Sequence, residues 1–239
     1  IGLEELINKR ASDLMQPEMA EKIKKNTKKD YPSGIGAYGT DALRFTFTSL
    51  ASNGRDINFD LKRVEGYRNF CNKLWNAARF VKMQGQISLD QPDANNFQDE
   101  DIWIRNKLAA LIEDTKNNFK NYRFDYAARN LYSFIWQDYC SWYIEIKKSK
   151  LNEKNINSLE KNLIIYNLRE ILKNILLLLH PIMPFITEEI YSDLFNEKKF
   201  LQDNKYPDSN KFSSSSDAEN INWMIEIVSA IRKTRSEIG

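Results

Sequence analysis

Apolar residues along this chain recur three and four positions apart far more often than they alternate, and that pattern predicts helices. Leu3, Leu6 and Ile7 open a short helix over about 3–10, and a second over about 17–29 ends in a lysine-rich turn. A loop holding Pro32, Gly34 and Gly36 follows. The next helix, over about 40–52, starts at the capping candidate Thr40 and is stopped by Asn53 and Gly54. Ile57, Asn58 and Phe59 leave room only for a short strand. Four long helices come next, over about 61–84, 99–121, 124–149 and 157–180. Pro181 ends the last of these, and Pro184 suits the first turn of another over about 184–196. A loop with Pro207 and the run Ser213–Ser216 leads to a capping box, Ser216 with Glu219, and a final helix carrying Trp223, Ile227 and Ile231.

The 124–149 helix is apolar on more than one side. Phe124, Leu131, Ile135 and Trp142 form one stripe, and Tyr132, Trp136, Tyr139 and Tyr143 another, which is the pattern of a helix buried in a bundle. The expected fold is therefore mainly α, a helix bundle preceded by a small mixed α/β element. The division falls near residue 60, giving 1–60 and 61–239.

One helix stands apart chemically. With Asn69 at zero and about 100° per residue, Val64, Tyr67, Cys71, Leu74, Ala78 and Val81 gather on a core side. Asn69, Asn72, Lys73 and Asn76 gather opposite, flanked by Arg68 and Arg79, and Phe80 falls in the middle of that polar face. Amides read base edges, cations hold phosphate, and an exposed ring stacks on an unpaired base. The 61–83 stretch also concentrates cations, with Lys62, Arg63, Arg68, Lys73, Arg79 and Lys82 against Glu65. Surface asparagines are common in a chain this rich in Asn and Lys, and Phe80 can instead pack on a neighbouring helix, so periodicity alone leaves both readings open.

Composition narrows the classes. Lys and Arg number 35 against 33 Asp and Glu, a formal charge of +2, so any nucleic-acid site must come from local placement of charge. The longest aliphatic run, Ile175 to Leu179, falls far short of a membrane span, and no basic-then-apolar leader opens the chain. Two cysteines, Cys71 and Cys140, and one histidine, His180, are too few for a disulfide scaffold or zinc cage. They read as buried small residues of a reducing, cytoplasmic setting. Lys147, Lys148 and Lys150 crowd a helix C-terminus, where cations suit the dipole. His180 beside Pro181 reads as structural, and Asp138 on an apolar stripe as paired within the bundle. No glycine-rich phosphate loop, carboxylate dyad or nucleophile–base pair is visible. The chain opens at Ile1 in mid-pattern, as a piece of a longer polypeptide would.

Several stretches carry a resemblance: Gly39 to Phe45, Gly54 to Asp60, Tyr67 to Phe80, Tyr139 to Tyr143, and His180 to Glu188. In that order they closely resemble valyl-tRNA synthetases, over nearly the whole chain and least in 85–98 and 197–217. Gly54–Asp60 and Tyr67–Phe80 favour the valine enzymes over isoleucyl and leucyl relatives, which share the His180–Glu188 stretch. These class I enzymes have a Rossmann catalytic domain bearing the signatures HIGH and KMSKS, neither of which occurs here. The resemblance therefore implies the portion downstream of the catalytic core, namely a stem-contact element over 1–60 and an anticodon-binding bundle over 61–239. It further implies valine tRNA isoacceptors and the catalytic domain of the same polypeptide as partners. No membrane is involved. No cofactor falls in this part, with ATP and Mg²⁺ belonging to the parent enzyme, so the chain alone is expected to be non-catalytic. The RNA-binding set it implies is Arg68, Asn69, Asn72, Lys73, Asn76, Arg79, Phe80 and Ile144, the last as an aliphatic residue facing the anticodon. Asp41 and Arg44 are expected to be mainly structural. The same domain of an isoleucyl- or leucyl-type synthetase, a stand-alone RNA-binding module and a purely structural bundle are the alternatives.

Overall fold

The computed structural model describes residues 1–52, 59–85, 92–195, 199–214 and 218–238. These form two compact units, Ile1–Gly39 and Thr40–Gly239. No strand occurs among the described residues. The short strand expected at Ile57–Phe59 and the capping Ser216 lie wholly or mostly outside them.

In the first unit, α1 (Leu3–Ala11) packs on α2 (Ala20–Asp30), closing over Leu6, Ile7 and Thr27. The segment after α2 returns along the N-terminus, where Ile1 and Ile35 exchange two backbone hydrogen bonds of 2.9 Å. Gly34 sits at φ +75, and a Cβ there would stand 2.3 Å from the Ile1 carbonyl oxygen, so the return requires glycine. That exchange is the extended component of the unit.

In the second unit, α3 (Thr40–Leu50) joins the bundle and does not stand before it. The stem-contact stretch expected over 1–60 thus draws on both units. Asp41 reaches the start of α9 (Pro184–Phe195), where its Oδ2 accepts from the Ile186 amide at 2.6 Å and its Oδ1 from Phe185 at 3.4 Å. It satisfies donors that the helix leaves open. Arg44 donates to the Ile182 and Pro181 carbonyls at 2.8 and 3.1 Å. Both residues fasten α3 to the corner between α8 (Ser158–Leu179) and α9, the structural role expected of them. His180 is structural too: its Nδ1 lies 2.8 Å from the Thr187 hydroxyl, which itself donates to Met183.

The core is built around α8, whose Leu168, Ile171, Leu172, Ile175 and Leu176 are fully buried. Around it lie α4 (Leu61–Met83), α5 (Asp99–Lys120), α9, and a helical rod from Phe124 to Leu151. The sequence pattern predicts one α-helix there. The structure shows α6 (Phe124–Ser133) and α7 (Ile144–Leu151) joined by π-helical winding over Phe134–Tyr143. The final helix, α10 (Glu219–Ile238), buries Ile221 and rests Arg232 on the Trp142 ring at 4.9 Å, while Trp223, Ile227 and Ile231 stay exposed. Arg105 of α5 is sandwiched between the Phe97 and Phe212 rings, 4.6 and 4.8 Å from their centroids. It donates to Asn167, Glu170 and the Lys211 carbonyl, fixing the loop before α10 to the core. Asp138 is paired inside the bundle as expected, with Lys107 at 2.8 Å.

The lysines near the end of the rod do more than complement a helix dipole. Lys147 is fully buried, and its ammonium lies 3.0 Å from Glu100 and 2.7 Å from Asp101, while Lys150 reaches Glu100 at 2.6 Å. Burial alone would raise the Glu100 pKa, but the charge of Lys147 and hydrogen bonds from Lys150 and Lys147 outweigh it and hold the carboxyl below its ordinary value. The carboxylates at the start of α5 are thus a docking point for the rod as well as dipole partners.

Removing one side of such a buried pair strands the other. Lys147→Met is expected to cost about 3–5 kcal/mol in urea unfolding at pH 7. A lowered folded pKa gives stability that is present above the unfolded value, 4.5 for Glu100, and lost as pH falls through the folded one. Wild-type stability should therefore decline on acidification below that value, and the gap to the variant should narrow. A gap that widens with acid would contradict the assigned pairing.

Candidate nucleic-acid interface

The polar face of α4 is presented to solvent. Asp60 caps the helix, accepting from the Lys62 amide at 2.9 Å, and Val64, Phe70, Leu74, Ala77, Ala78 and Val81 bury the opposite side. Tyr67 and Cys71 sit half-buried against the core. Arg68, Asn69, Asn72, Asn76 and Arg79 are exposed. Among the described residues, no side-chain partner engages the three asparagines or Arg79. Lys82 is used elsewhere, in an ion pair with Asp193 of α9.

Two expected site residues lie at the margin of this face, where the rod packs beside α4. Lys73 is half-buried: its ammonium donates to the Ser141 hydroxyl at 3.0 Å and stands 4.2 Å from the centre of the Trp136 ring. Ser141 spends its own proton on the Trp136 carbonyl at 2.7 Å, so it can only accept from Lys73. Trp136 stacks on Tyr132 with centroids 5.6 Å apart and planes at 13°. No carboxylate pairs with Lys73 among the described residues, leaving a positive charge held in place and uncompensated.

Phe80 corrects the wheel. It is not at the centre of an open face but half-buried at its edge, packed against the core, with the Lys148 ammonium 5.1 Å from its ring centre. Lys148 pairs with exposed Glu145 at 2.7 Å, and a surface pair of this kind holds weakly, so an incoming ring can displace it. Ile144, expected to face the anticodon, is buried at 3% exposure within the core. Ten residues of wider winding precede it on the rod. It shapes the bundle and is not a contact surface.

The structure thus brings Lys73 and Phe80 together with Lys148, Trp136 and Ser141 along one edge and leaves the amides on the ridge. The last three residues carried no sequence signal, because the π-helical winding that aims them does not show in a 3.6-residue pattern. Trp75 is a further omission. It lies on the other edge of the exposed face, and the same wheel places it beside Arg68.

Residues 101–239 match the family model described as the anticodon-binding domain of tRNA ligase, and the chain belongs to that family. It is 45% identical over 246 residues to the valine–tRNA ligase of Francisella tularensis, covering 100% of this chain and 26% of that protein. The valine–tRNA ligase of Coxiella burnetii is likewise 45% identical, over 247 residues, with 100% and 27% covered. The chain therefore spans about a quarter of the length of the curated relatives it matches. Among solved structures, a LeuRS of Agrobacterium radiobacter, in a ternary complex with tRNA and LeuAMS, superposes with TM-score 0.55 at 16% identity. It covers 73% of this chain and 20% of that one. That likeness bears on the fold alone and supports the helical bundle. No helix among the described residues is long and apolar enough to cross a membrane.

The thiols beside the interface are not reactive groups. Burial pushes Cys71 up to about 11, and pushes Cys140 up to about 12 despite the nearby charges of Lys73 and Lys148. At pH 8 about one Cys71 thiol in a thousand is then ionised. Iodoacetamide should label neither residue of the folded protein on a timescale that fully labels the urea-unfolded chain. Rapid native labelling of Cys140 would show that the edge of the site is more open than described.

Proposed function

We propose that this chain is the anticodon-reading part of a valine–tRNA ligase, the enzyme that joins valine to its tRNA at the expense of ATP. The observation that carries the reading is the exposed amide ridge of α4 bordered by a fixed, uncompensated Lys73 and by Phe80. The names of the relatives support the amino acid and the RNA. An unstacked anticodon loop lies on the ridge, one base displaces Lys148 and stacks on Phe80, and Asn72, Asn76 and Arg79 read base edges. Lys73 holds a phosphate with the two N–H groups that Ser141 does not use. The stretch over 1–60 contributes stem contacts, while ATP and Mg²⁺ serve the catalytic portion of the parent polypeptide. That parent works in the cytoplasm.

Binding is tested with an anticodon stem-loop of valine tRNA titrated at several salt concentrations. Stacking is worth about 1–3 kcal/mol per base, so Phe80→Ala should weaken binding about 5- to 150-fold. Lys73→Ala should lower the salt slope by about 0.7. Wild-type affinity and slope in both variants would refute the site.

The hold on Lys73 has its own test. Ser141→Ala should weaken binding in the wild-type background and have little further effect on Lys73→Ala. Additive losses would mean that Ser141 acts independently of the lysine.

A further inference from the structure

We propose that Trp75 forms a second stacking subsite, for another unpaired nucleotide of the same RNA, across the α4 ridge from Phe80. The proposal rests on the anticodon reading above and extends it to a residue that neither the sequence pattern nor the resemblance assigned.

Trp75 leaves 37% of its surface in solvent. Among the described residues its indole has no hydrogen-bond, ring or cation partner, so the part of it that meets solvent is not engaged by a neighbouring polar group or ring. Tryptophan is enriched at interfaces because it offers a large apolar ring with a polar N–H at its edge.

Its neighbours decide what kind of ligand fits. At helical spacing, Asn72 lies three residues before Trp75, Arg79 four after and Arg68 seven before, so the ring stands among an amide and two guanidiniums on one stripe. All three neighbours are exposed. Along α4 the exposed cations Lys62, Arg63 and Arg79, leaving aside Arg68, which has a contact of its own, outnumber the single carboxylate, Glu65. A flat ring ringed by donors and positive charge suits a group with a π face, acceptor edges and negative charge. That describes a nucleotide and excludes an acid-poor apolar protein face.

Geometry separates this subsite from the one at Phe80. Five residues put the two rings about 7.5 Å apart along the axis and about 140° apart around it. They therefore flank the ridge of Asn72 and Asn76 on opposite sides. A splayed loop straddling the ridge can lay one base on each flank, with its backbone crossing the amides between them. A single base cannot reach both.

The experiment uses the whole chain and the valine-tRNA anticodon stem-loop, with Trp75→Ala, Trp75→Phe and Phe80→Ala. Trp75→Ala should weaken binding about 5- to 150-fold. Trp75→Phe, which keeps a ring, should bind within about threefold of wild type yet lose the Trp75 share of the emission quenching that RNA produces. Loops with one abasic position each then locate the partner base: at that position Trp75→Ala should have no further effect. If Phe80→Ala weakens binding while Trp75→Ala does not, the second subsite is wrong and the anticodon reading stands. Wild-type affinity in both alanine variants removes the reading itself. A loss with Trp75→Ala that persists at every abasic position marks a structural role and overturns the subsite. If Trp75→Ala fails to fold, the quenching by RNA decides, since quenching unchanged in Trp75→Phe excludes a base on that ring.

Discussion

A lysine held against an indole and a hydroxyl, with no anion among the described residues to neutralise it, is the constraint on which the candidate site depends. A lysine on an open helix face samples many rotamers and loses that freedom on binding. Lys73 has already lost much of it, because Trp136 and Ser141 fix its end group before any ligand arrives. The indole is itself immobile. It stacks on Tyr132, which meets the edge of Tyr67 and tilts against Phe70, and Phe70 packs on Phe45 of α3. A column of rings thus runs from the interior to the point where the charge is presented. A carboxylate at that point would hold the lysine equally well, but it would cancel the field a phosphate needs.

The rod is kept from turning by contacts on its inner side. The Tyr139 hydroxyl donates to the Leu168 carbonyl at 2.9 Å, and the Tyr143 hydroxyl donates to Asp101 at 2.6 Å. Lys147 closes the same carboxylate cluster one turn later. Each is a buried polar group whose partner is expensive to lose. With these three fixed inward, Trp136 and Ser141 have one outward direction available, and it faces α4. The wider winding over Phe134–Tyr143 lets residues four apart, Tyr139 and Tyr143, share the inner face while Trp136 and Ser141, five apart, share the outer one. Packing and presentation are therefore one decision. The buried carboxylates thereby help to set the direction in which Trp136 and Ser141 face.

This coupling explains which parts were legible from the residues. Helix positions were, because Pro181, Pro184, Asp60 and the apolar period act locally, and the ends of most observed spans lie within a residue or two of the expected ones, the start of α2 at Ala20 being three residues later. The amide ridge was legible for the same reason, since α4 is an ordinary α-helix and its wheel holds. Phe80 was misplaced toward the centre because a wheel places a residue on its own helix and says nothing of what packs beside it. Ile144 was taken from its place in the resemblance, which carries no information on burial, and the structure encloses it in the core. Trp75 drew no assignment, since it borders the core stripe on the wheel and periodicity does not give its exposure. The joining of α3 to the bundle depends on Asp41 and Arg44 meeting a corner 138 to 145 positions away, and no local pattern contains that.

The chain holds almost as many acids as bases, so the usual electrostatic mark of an RNA-binding protein is missing. The structure shows how a neutral molecule can still offer a positive face. Elsewhere the cations are consumed internally: Arg105 between two phenyl rings, Arg44 on backbone carbonyls, Lys147 between two acids, Arg123 on Asp125. On α4 most are left unspent, and the one acid among them, Glu65, lies toward the start of the helix. Few uncompensated charges mean weak long-range attraction and a shallow dependence on salt, so little affinity is available for an arbitrary polyanion. What remains is short-range: rings that need an unstacked base and amides that need a matching edge. In the proposed reading such a surface favours an unstacked loop, because it lacks the charge to hold a helix of RNA by attraction alone.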